Sequence, residues 1–131
     1  MGDLVKAGSG GLAGLLHGGD IPAVPAPFER DIFLFGTYVA GTTHITGIME
    51  LEPHLNVGDR LTFLREPDNP HDSYAIRINN ADGVKLGYVP RADNPVFARL
   101  MDAGKLLFGR ITSKEITGNW LKLGLSVFLH E

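Results

Sequence analysis

Apolar and polar positions alternate along much of the chain after Asp31, which is the pattern of half-buried β-strands. The segment "IFLFGTYVAGT", residues 32–42, is rich in β-branched and aromatic residues and contains two glycines. It predicts one long strand that bends. In "VGDRLTFLRE", residues 57–66, Leu61 and Phe63 share one face. The segment "SYAIRIN", residues 73–79, repeats the alternation and predicts the next strand.

Two turn signals join the later strands into hairpins. Asp82 and Gly83 form a dipeptide typical of tight hairpin turns, and they precede a short strand over Lys85–Val89. A second hairpin is predicted around Ile116–Asn119. Its final strand places four apolar residues on one face, namely Leu121, Leu123, Leu125 and Val127.

One helix is predicted, over Asn94–Ala103. Asn94 is a suitable N-terminal cap, Pro95 suits the first helical position, and Gly104 can end the helix. Its apolar stripe consists of Val96, Phe97, Leu100 and Met101. Six strands and one helix indicate a mainly β domain, a small barrel.

The N-terminal segment, residues 1–30, has a different composition. Gly10, Gly14 and Gly18 recur at four-residue spacing among leucines, a pattern compatible with a short helix, although glycine disfavours helices. "IPAVPAP", residues 21–27, predicts a stiff extended linker. We therefore expect a flexible Gly/Pro-rich segment over residues 1–30 and a barrel domain over residues 31–131.

Composition narrows the class of protein. With 131 residues, of which 44% are hydrophobic, the chain suits one domain with a real core. The chain has no cysteine, so disulfides and thiolate chemistry are excluded. A net charge of −3 excludes a strong overall basic field, so any nucleic-acid site must be local. Without a charged leader or a long apolar stretch, a soluble cytoplasmic protein with no membrane contact is expected.

Two motifs resemble a known family. "LREPDNPHDSYAI" and, after a hairpin, "GYVPRADNPVFARLMDAGK" resemble the HIRAN domain, and the upstream "VAGTTHITG" fits its first strand and turn. HIRAN domains occur alone in bacteria, the type resembled here, and fused to helicase-type remodelling enzymes in eukaryotes. The resemblance implies a small six-stranded OB/SH3-like β-barrel that binds DNA. In helicase-linked members the domain grips the 3′ hydroxyl end of a single strand.

The resemblance also assigns roles to residues. It implies that Asp72 contacts the terminal hydroxyl and that Arg91 suits a phosphate. His71 replaces the tyrosine usual before that aspartate, and Tyr88 takes the position of an aromatic residue or histidine. Upstream, the end-binding eukaryotic form has an arginine and a tyrosine where this chain has Thr43 and His44. In the first motif, the family pattern matches Arg65, Glu66, Pro67, Asn69, His71 and Asp72.

The same residues suit a DNA end on chemical grounds. A carboxylate accepts from a hydroxyl, a guanidinium pairs with phosphate, and a ring stacks on an unpaired base. Arg65 could contact a second phosphate, or it could brace the loop through an ion pair with Glu66 or Asp72. Asp68 and Asn69 are typical turn builders. The predicted site comprises His44, Arg65, His71, Asp72, Tyr88 and Arg91.

Other chemistry fits less well. Glu66, Asp68, His71 and Asp72 do not have the spacing of a calcium loop. A His71-Asp72 pair acting with Ser73 or Thr43 is poorly disposed for hydrolysis, because adjacent strand residues point to opposite faces.

The first hypothesis is therefore a non-catalytic module without a cofactor that recognises single-stranded DNA or a 3′ end. Repair or replication proteins are possible further partners, and the oligomeric state is left open. The alternatives are a protein-interaction or assembly module that uses residues 1–27 and, less favoured, a metal-dependent phosphoesterase.

Overall fold

The computed structural model describes residues 30–131. The predicted Gly/Pro-rich segment and its possible helix lie outside the described residues, apart from Arg30. The strands are β1 (Asp31–Tyr38), β2 (Arg60–Arg65), β3 (Ile76–Asn79), β4 (Lys85–Tyr88), β5 (Leu106–Thr117) and β6 (Trp120–His130). The α-helices are α1 (Ile48–Leu51) and α2 (Asn94–Asp102), with 3₁₀ turns at Thr42–His44 and Glu52–His54.

The six strands form one curled antiparallel sheet in the order β1-β6-β5-β2-β3-β4. The two edges meet just beyond β1, where Ala40 and Tyr88 exchange backbone hydrogen bonds of 2.8 and 2.9 Å. Gly87 permits this approach, because a Cβ atom there would overlap the Ala40 carbonyl oxygen. The predicted mainly β barrel is confirmed.

The inner face of the sheet is apolar, as the alternation predicted. Leu61 and Phe63 of β2 and Ile76 and Ile78 of β3 are buried in one core. The four predicted residues of β6 join them, each at most 1% exposed: Leu121, Leu123, Leu125 and Val127. Both predicted hairpins are present, β3-β4 and β5-β6.

Strand β1 bends at an irregularity in its pairing with β6. Phe33 lies opposite Phe128, but Phe35 lies opposite Val127, so one additional residue is accommodated between them. The bend is therefore a β-bulge that precedes both Gly36 and Gly41, where it was expected, and the strand ends at Tyr38 rather than at Thr42.

Two predictions about α2 are wrong. The residue before the helix is Asp93, and no side chain caps the helix; Asn94 is instead the first helical residue and is 2% exposed. Val96 is 62% exposed, whereas Phe97 and Ala98 are buried. Of the predicted apolar stripe, Phe97, Leu100 and Met101 pack against the core, and only Val96 faces solvent.

The β1-β2 connection contains helical turns that sequence patterning did not predict. Ile48 of α1 and Leu55, just after the second 3₁₀ turn, are buried in the barrel core. Lys114 of β5 holds the connection by donating to the carbonyl oxygens of Glu52 and Leu55 at 3.1 and 2.8 Å. Within residues 30–131, no helix has the length and apolarity needed to cross a membrane.

Candidate nucleic-acid interface

The connection between β2 and β3, residues 66–75, forms a folded lip. Three backbone amides of the lip each donate to the carbonyl oxygen three residues earlier: Asn69 to Glu66, Asp72 to Asn69 and Ala75 to Asp72. The Asn69 side chain accepts from the His71 amide at 2.9 Å and donates to Oε1 of Glu66 at 3.0 Å. Asn69 thus builds the turn, as its residue type predicts.

A cavity of about 270 Å³ lies where this lip meets the end of β4 and the start of α2. It brings together four of the six predicted site residues: His71, Asp72, Tyr88 and Arg91. The rest of its lining comes from Ala40, Gly41, Asn69, Ala75, Val89 and Asn94. The point at which the barrel closes is therefore also one wall of the cavity.

Asp72 is the most constrained charged group of the cavity. Its Oδ1 accepts from the Tyr74 amide at 2.9 Å, and its Oδ2 accepts from Nδ2 of Asn94 at 2.7 Å. Nε of Arg91 lies 3.6 Å from the same Oδ2. The hydrogen bond from Asn94 lowers the pKa of Asp72 despite partial burial, with help from the Tyr74 amide and Arg91. Asp72 is therefore an anionic acceptor at neutral pH.

Glu66 fixes the orientation of Tyr88. The Tyr88 hydroxyl donates to Oε1 of Glu66 at 2.7 Å, and the same oxygen accepts from Asn69. Burial raises the pKa of Glu66, but the hydrogen bonds from Tyr88 and Asn69 and the charges of Lys85 and Arg77 outweigh it, so the pKa is lowered overall. An ionised Glu66 thus holds the Tyr88 ring against the cavity.

Arg91 and His71 form the open side of the cavity. The Arg91 side chain is 75% exposed and donates through Nη2 to the His71 carbonyl oxygen at 2.7 Å. The His71 residue is exposed as well. Both side chains are therefore accessible to a ligand entering from solvent.

Arg65 points away from the cavity and braces the lip. Its Nε and Nη2 donate to the two carboxylate oxygens of Asp102 at 2.9 and 3.1 Å. Nη1 and Nη2 also donate to the carbonyl oxygens of Ala75 and Ser73. The expected ion pair with Glu66 or Asp72 is wrong, since the partner is Asp102 at the end of α2. The geometry favours the bracing role over a phosphate contact.

His44 lies beside the cavity without lining it. It is exposed and ends the 3₁₀ turn that follows Gly41, a lining residue. Sequence reasoning missed Asn94, the buried donor to Asp72. The Asn-Pro pair signalled a helix start, and no local pattern showed that the amide would turn towards the lip.

The structure gives the metal hypothesis no ligand set. Within residues 30–131, no three histidine or acidic side chains are close enough together to hold a metal ion. For hydrolysis, the sequence suggested Asp72 acting with His71 and with Ser73 or Thr43. The Asp72 carboxylate instead accepts hydrogen bonds from the Tyr74 amide and the Asn94 side chain.

The chain resembles a mammalian protein over part of its length. Mouse helicase-like transcription factor (Mus musculus) is 35% identical over 77 residues, and its human counterpart (Homo sapiens) is 31% identical over the same length. Each match covers 56% of this chain but only 7% of the relative.

Solved structures match the fold. The crystal structure of a protein from Lactobacillus plantarum superposes with a TM-score of 0.73 and 29% identity, covering 79% of this chain and 98% of that one. The crystal structure of the HIRAN domain of human HLTF superposes with a TM-score of 0.59 and 21% identity, covering 76% and 78%. The family model described as the HIRAN domain matches residues 32–131, and the chain therefore belongs to the HIRAN domain family.

Proposed function

We propose that this domain is a non-catalytic module that binds single-stranded DNA by its 3′ end, which occupies the cavity beside Asp72. Membership of the HIRAN family supports nucleic-acid binding at the level of the family. The observation that carries the finer proposal is the convergence of His71, Asp72, Tyr88 and Arg91 on one cavity of about 270 Å³.

Asp72 supplies the selectivity of the proposed site. Its lowered pKa keeps the carboxylate ionised, so the group accepts hydrogen bonds and donates none. A terminal hydroxyl can donate to it, whereas a terminal phosphate would place two anions side by side. Because Asn94 and Tyr74 hold the carboxylate in place, little side-chain entropy is lost on binding.

Tyr88, His71 and Arg91 supply the remaining contacts. The Tyr88 ring is anchored through its hydroxyl and can stack on an unpaired base, and His71 offers a second ring from the lip. Arg91 is largely exposed and has donors left for a phosphate oxygen.

The test compares oligonucleotides that differ only at the 3′ terminus. Fluorescence anisotropy at low salt should show tighter binding of the 3′-hydroxyl form than of the 3′-phosphate form. A hydrogen bond to a charged group corresponds to a preference of about tenfold or more. Asp72→Asn should abolish that preference, because an amide no longer repels phosphate. Asp68→Asn is the matched control, since Asp68 lies exposed on the same lip outside the cavity.

The two possible failures are distinct. Equal affinity of the wild-type protein for both termini would overturn end recognition. A preference that persists unchanged in Asp72→Asn would overturn the role of Asp72.

A further inference from the structure

A second feature lies on the outer surface of the sheet. Four basic residues each stand next to a buried residue in the sequence of their strand: Arg60 in β2, Arg77 in β3, Lys85 in β4 and Arg110 in β5. Because neighbouring strand residues point to opposite faces, these four side chains project outward. They occupy four adjacent strands, β4, β3, β2 and β5, and together they are called the cationic face.

The cationic face brings together basic side chains that have no carboxylate partner among residues 30–131. Four cations elsewhere have carboxylate partners, in Arg30–Glu131, Arg65–Asp102, Arg91–Asp72 and Lys114–Glu52. Three others without such a partner among residues 30–131 lie outside these four strands, namely Arg99, Lys105 and Lys122. No carboxylate oxygen of residues 30–131 lies within 4.0 Å of the four cations of the face. Among residues 30–131, no contacting carboxylate therefore offsets the positive charge of these four side chains.

Arg60 and Arg110 are directly opposite each other in the β2-β5 pairing. Like charges in this position are destabilising in a sheet. Both guanidinium groups also approach the ring of Phe108, at 3.7 and 5.7 Å from its centroid. This ring is stacked on Phe128, so the two charges are held on a rigid apolar support rather than dispersed. Such an arrangement becomes favourable when an anion binds between the charges.

The cationic face is continuous with the cavity through Tyr88. Tyr88 lines the cavity and lies opposite Arg77 in the β3-β4 pairing. The ammonium group of Lys85 lies over the Tyr88 ring, 4.5 Å from the ring centroid. Glu66 is the acidic group at this junction, and its Oε1 is occupied by Tyr88 and Asn69. Near Arg60, the cationic face ends at a hollow whose lining includes the acidic residues Asp59 and Asp82.

We propose that the cationic face binds the sugar-phosphate backbone of the same DNA strand whose 3′ end occupies the cavity. The proposal rests on the proposed function and adds the path of the strand. With about 4.8 Å between neighbouring strands, the path from β4 to β5 is roughly 14 Å long, enough for more than one phosphate. An overall acidic protein can thus bind a polyanion, because four basic side chains are gathered on one face of its sheet.

The experiment compares oligonucleotide length, salt dependence and the terminal group. The wild-type protein should bind a dodecanucleotide more tightly than a trinucleotide. The double variant Arg77→Gln/Lys85→Gln should lose most of this difference. The slope of log affinity against log salt should become shallower by about 0.7 for each single-strand phosphate contact removed. The preference of the trinucleotide for a 3′ hydroxyl over a 3′ phosphate should persist, because the cavity is intact.

Matched variants separate charge from structure. Lys122→Gln removes an exposed lysine that lies opposite Glu115 in the β5-β6 pairing, outside the cationic face, and should leave the length dependence unchanged. Arg60→Lys removes the guanidinium above Phe108 but keeps the charge, so it should retain the salt slope.

The outcomes distinguish this proposal from the preceding one. Equal affinity for both lengths, with the terminal preference retained, would overturn the cationic face and leave end recognition standing. Length dependence that is lost in the double variant, without a terminal preference, would support backbone binding and overturn end recognition. Competition by polyglutamate as effective as that by DNA would overturn nucleic acid as the ligand of the face.

Discussion

The side-chain amide of Asn94, the first residue of α2, donates a 2.7 Å hydrogen bond to Oδ2 of Asp72 on the lip between β2 and β3. Asn94 is 2% exposed, so this bond is shielded from water. It connects the helix to the lip and orients the carboxylate that faces the cavity. The position of the proposed hydroxyl acceptor therefore depends on a residue 22 positions away in the chain.

Asn94→Ala should destabilise the domain and loosen the site. The substitution removes a buried donor and leaves the Asp72 carboxylate without its shortest hydrogen bond, which costs about 1–3 kcal/mol. Urea unfolding should show a lower midpoint than wild type, and the 3′-hydroxyl preference should shrink. Asn56→Ala, at an exposed loop position, is the control. An unchanged midpoint for Asn94→Ala would show that the hydrogen bond to Asp72 does not stabilise the fold.

Arg65→Lys should lower stability without altering the salt dependence of DNA binding. Lysine keeps the positive charge, but its single ammonium group cannot replace all the hydrogen bonds of the guanidinium. Arg65 makes two hydrogen bonds to the Asp102 carboxylate and one each to the carbonyl oxygens of Ala75 and Ser73. The expected loss is about 1–3 kcal/mol in the free energy of unfolding. Arg65→Gln, which removes the charge, should also leave the salt slope unchanged. A shallower slope would instead show that Arg65 contacts phosphate.

Stability should fall in acid because the pKa values of Glu66 and Asp72 are both lowered in the folded protein. Carboxyl groups of this kind stabilise the fold above their unfolded-state pKa values, and the stabilisation is lost as pH falls through the folded-state values. Urea midpoints should therefore decline below about pH 5.

Glu66→Gln tests the source of this acid sensitivity. Its carbonyl oxygen can still accept from Tyr88 and Asn69, but the side chain no longer titrates, so the variant should show a shallower decline. Glu115→Gln on the exposed part of β5 is the charge-matched control and should retain the wild-type decline. Identical acid profiles for Glu66→Gln and wild type would contradict the assignment.

Gly87→Ala should open the barrel next to the cavity. The new Cβ atom would overlap the Ala40 carbonyl oxygen and lie 2.8 Å from Cγ1 of Val39. Overpacking of this kind costs about 1–3 kcal/mol, and it acts on the backbone that closes the barrel. Faster amide exchange at Ala40 and Tyr88, whose amides form the closing bridge, would report the opening.

The control for this substitution is Gly36→Ala. Gly36 lies in β1, and an added Cβ there meets no atom within 4 Å. The variant should retain wild-type protection at the bridge. Equal protection of the bridge in Gly87→Ala would show that the added Cβ atom is accommodated without opening the barrel, contrary to this prediction.

The sequence by itself determined the strands and the family. Alternation at Leu61, Phe63, Ile76 and Ile78 depends only on which residues must leave water, and the Asp82-Gly83 turn depends only on local backbone preference. These are short-range properties, so they can be read without knowing the rest of the fold. The same holds for the two motifs that indicated the family, from which four residues of the cavity were predicted: His71, Asp72, Tyr88 and Arg91.

Only the tertiary structure decided the partners of the polar side chains. Arg65 has acidic residues close to it in the chain, yet it pairs with Asp102; Asn94 is placed to cap a helix, yet it binds Asp72. Arg60 and Arg110 become opposing charges only when β2 pairs with β5. A polar side chain pairs with whichever group lies near it in the folded protein. The order of the strands determines which groups are near, and no local sequence pattern specifies that order.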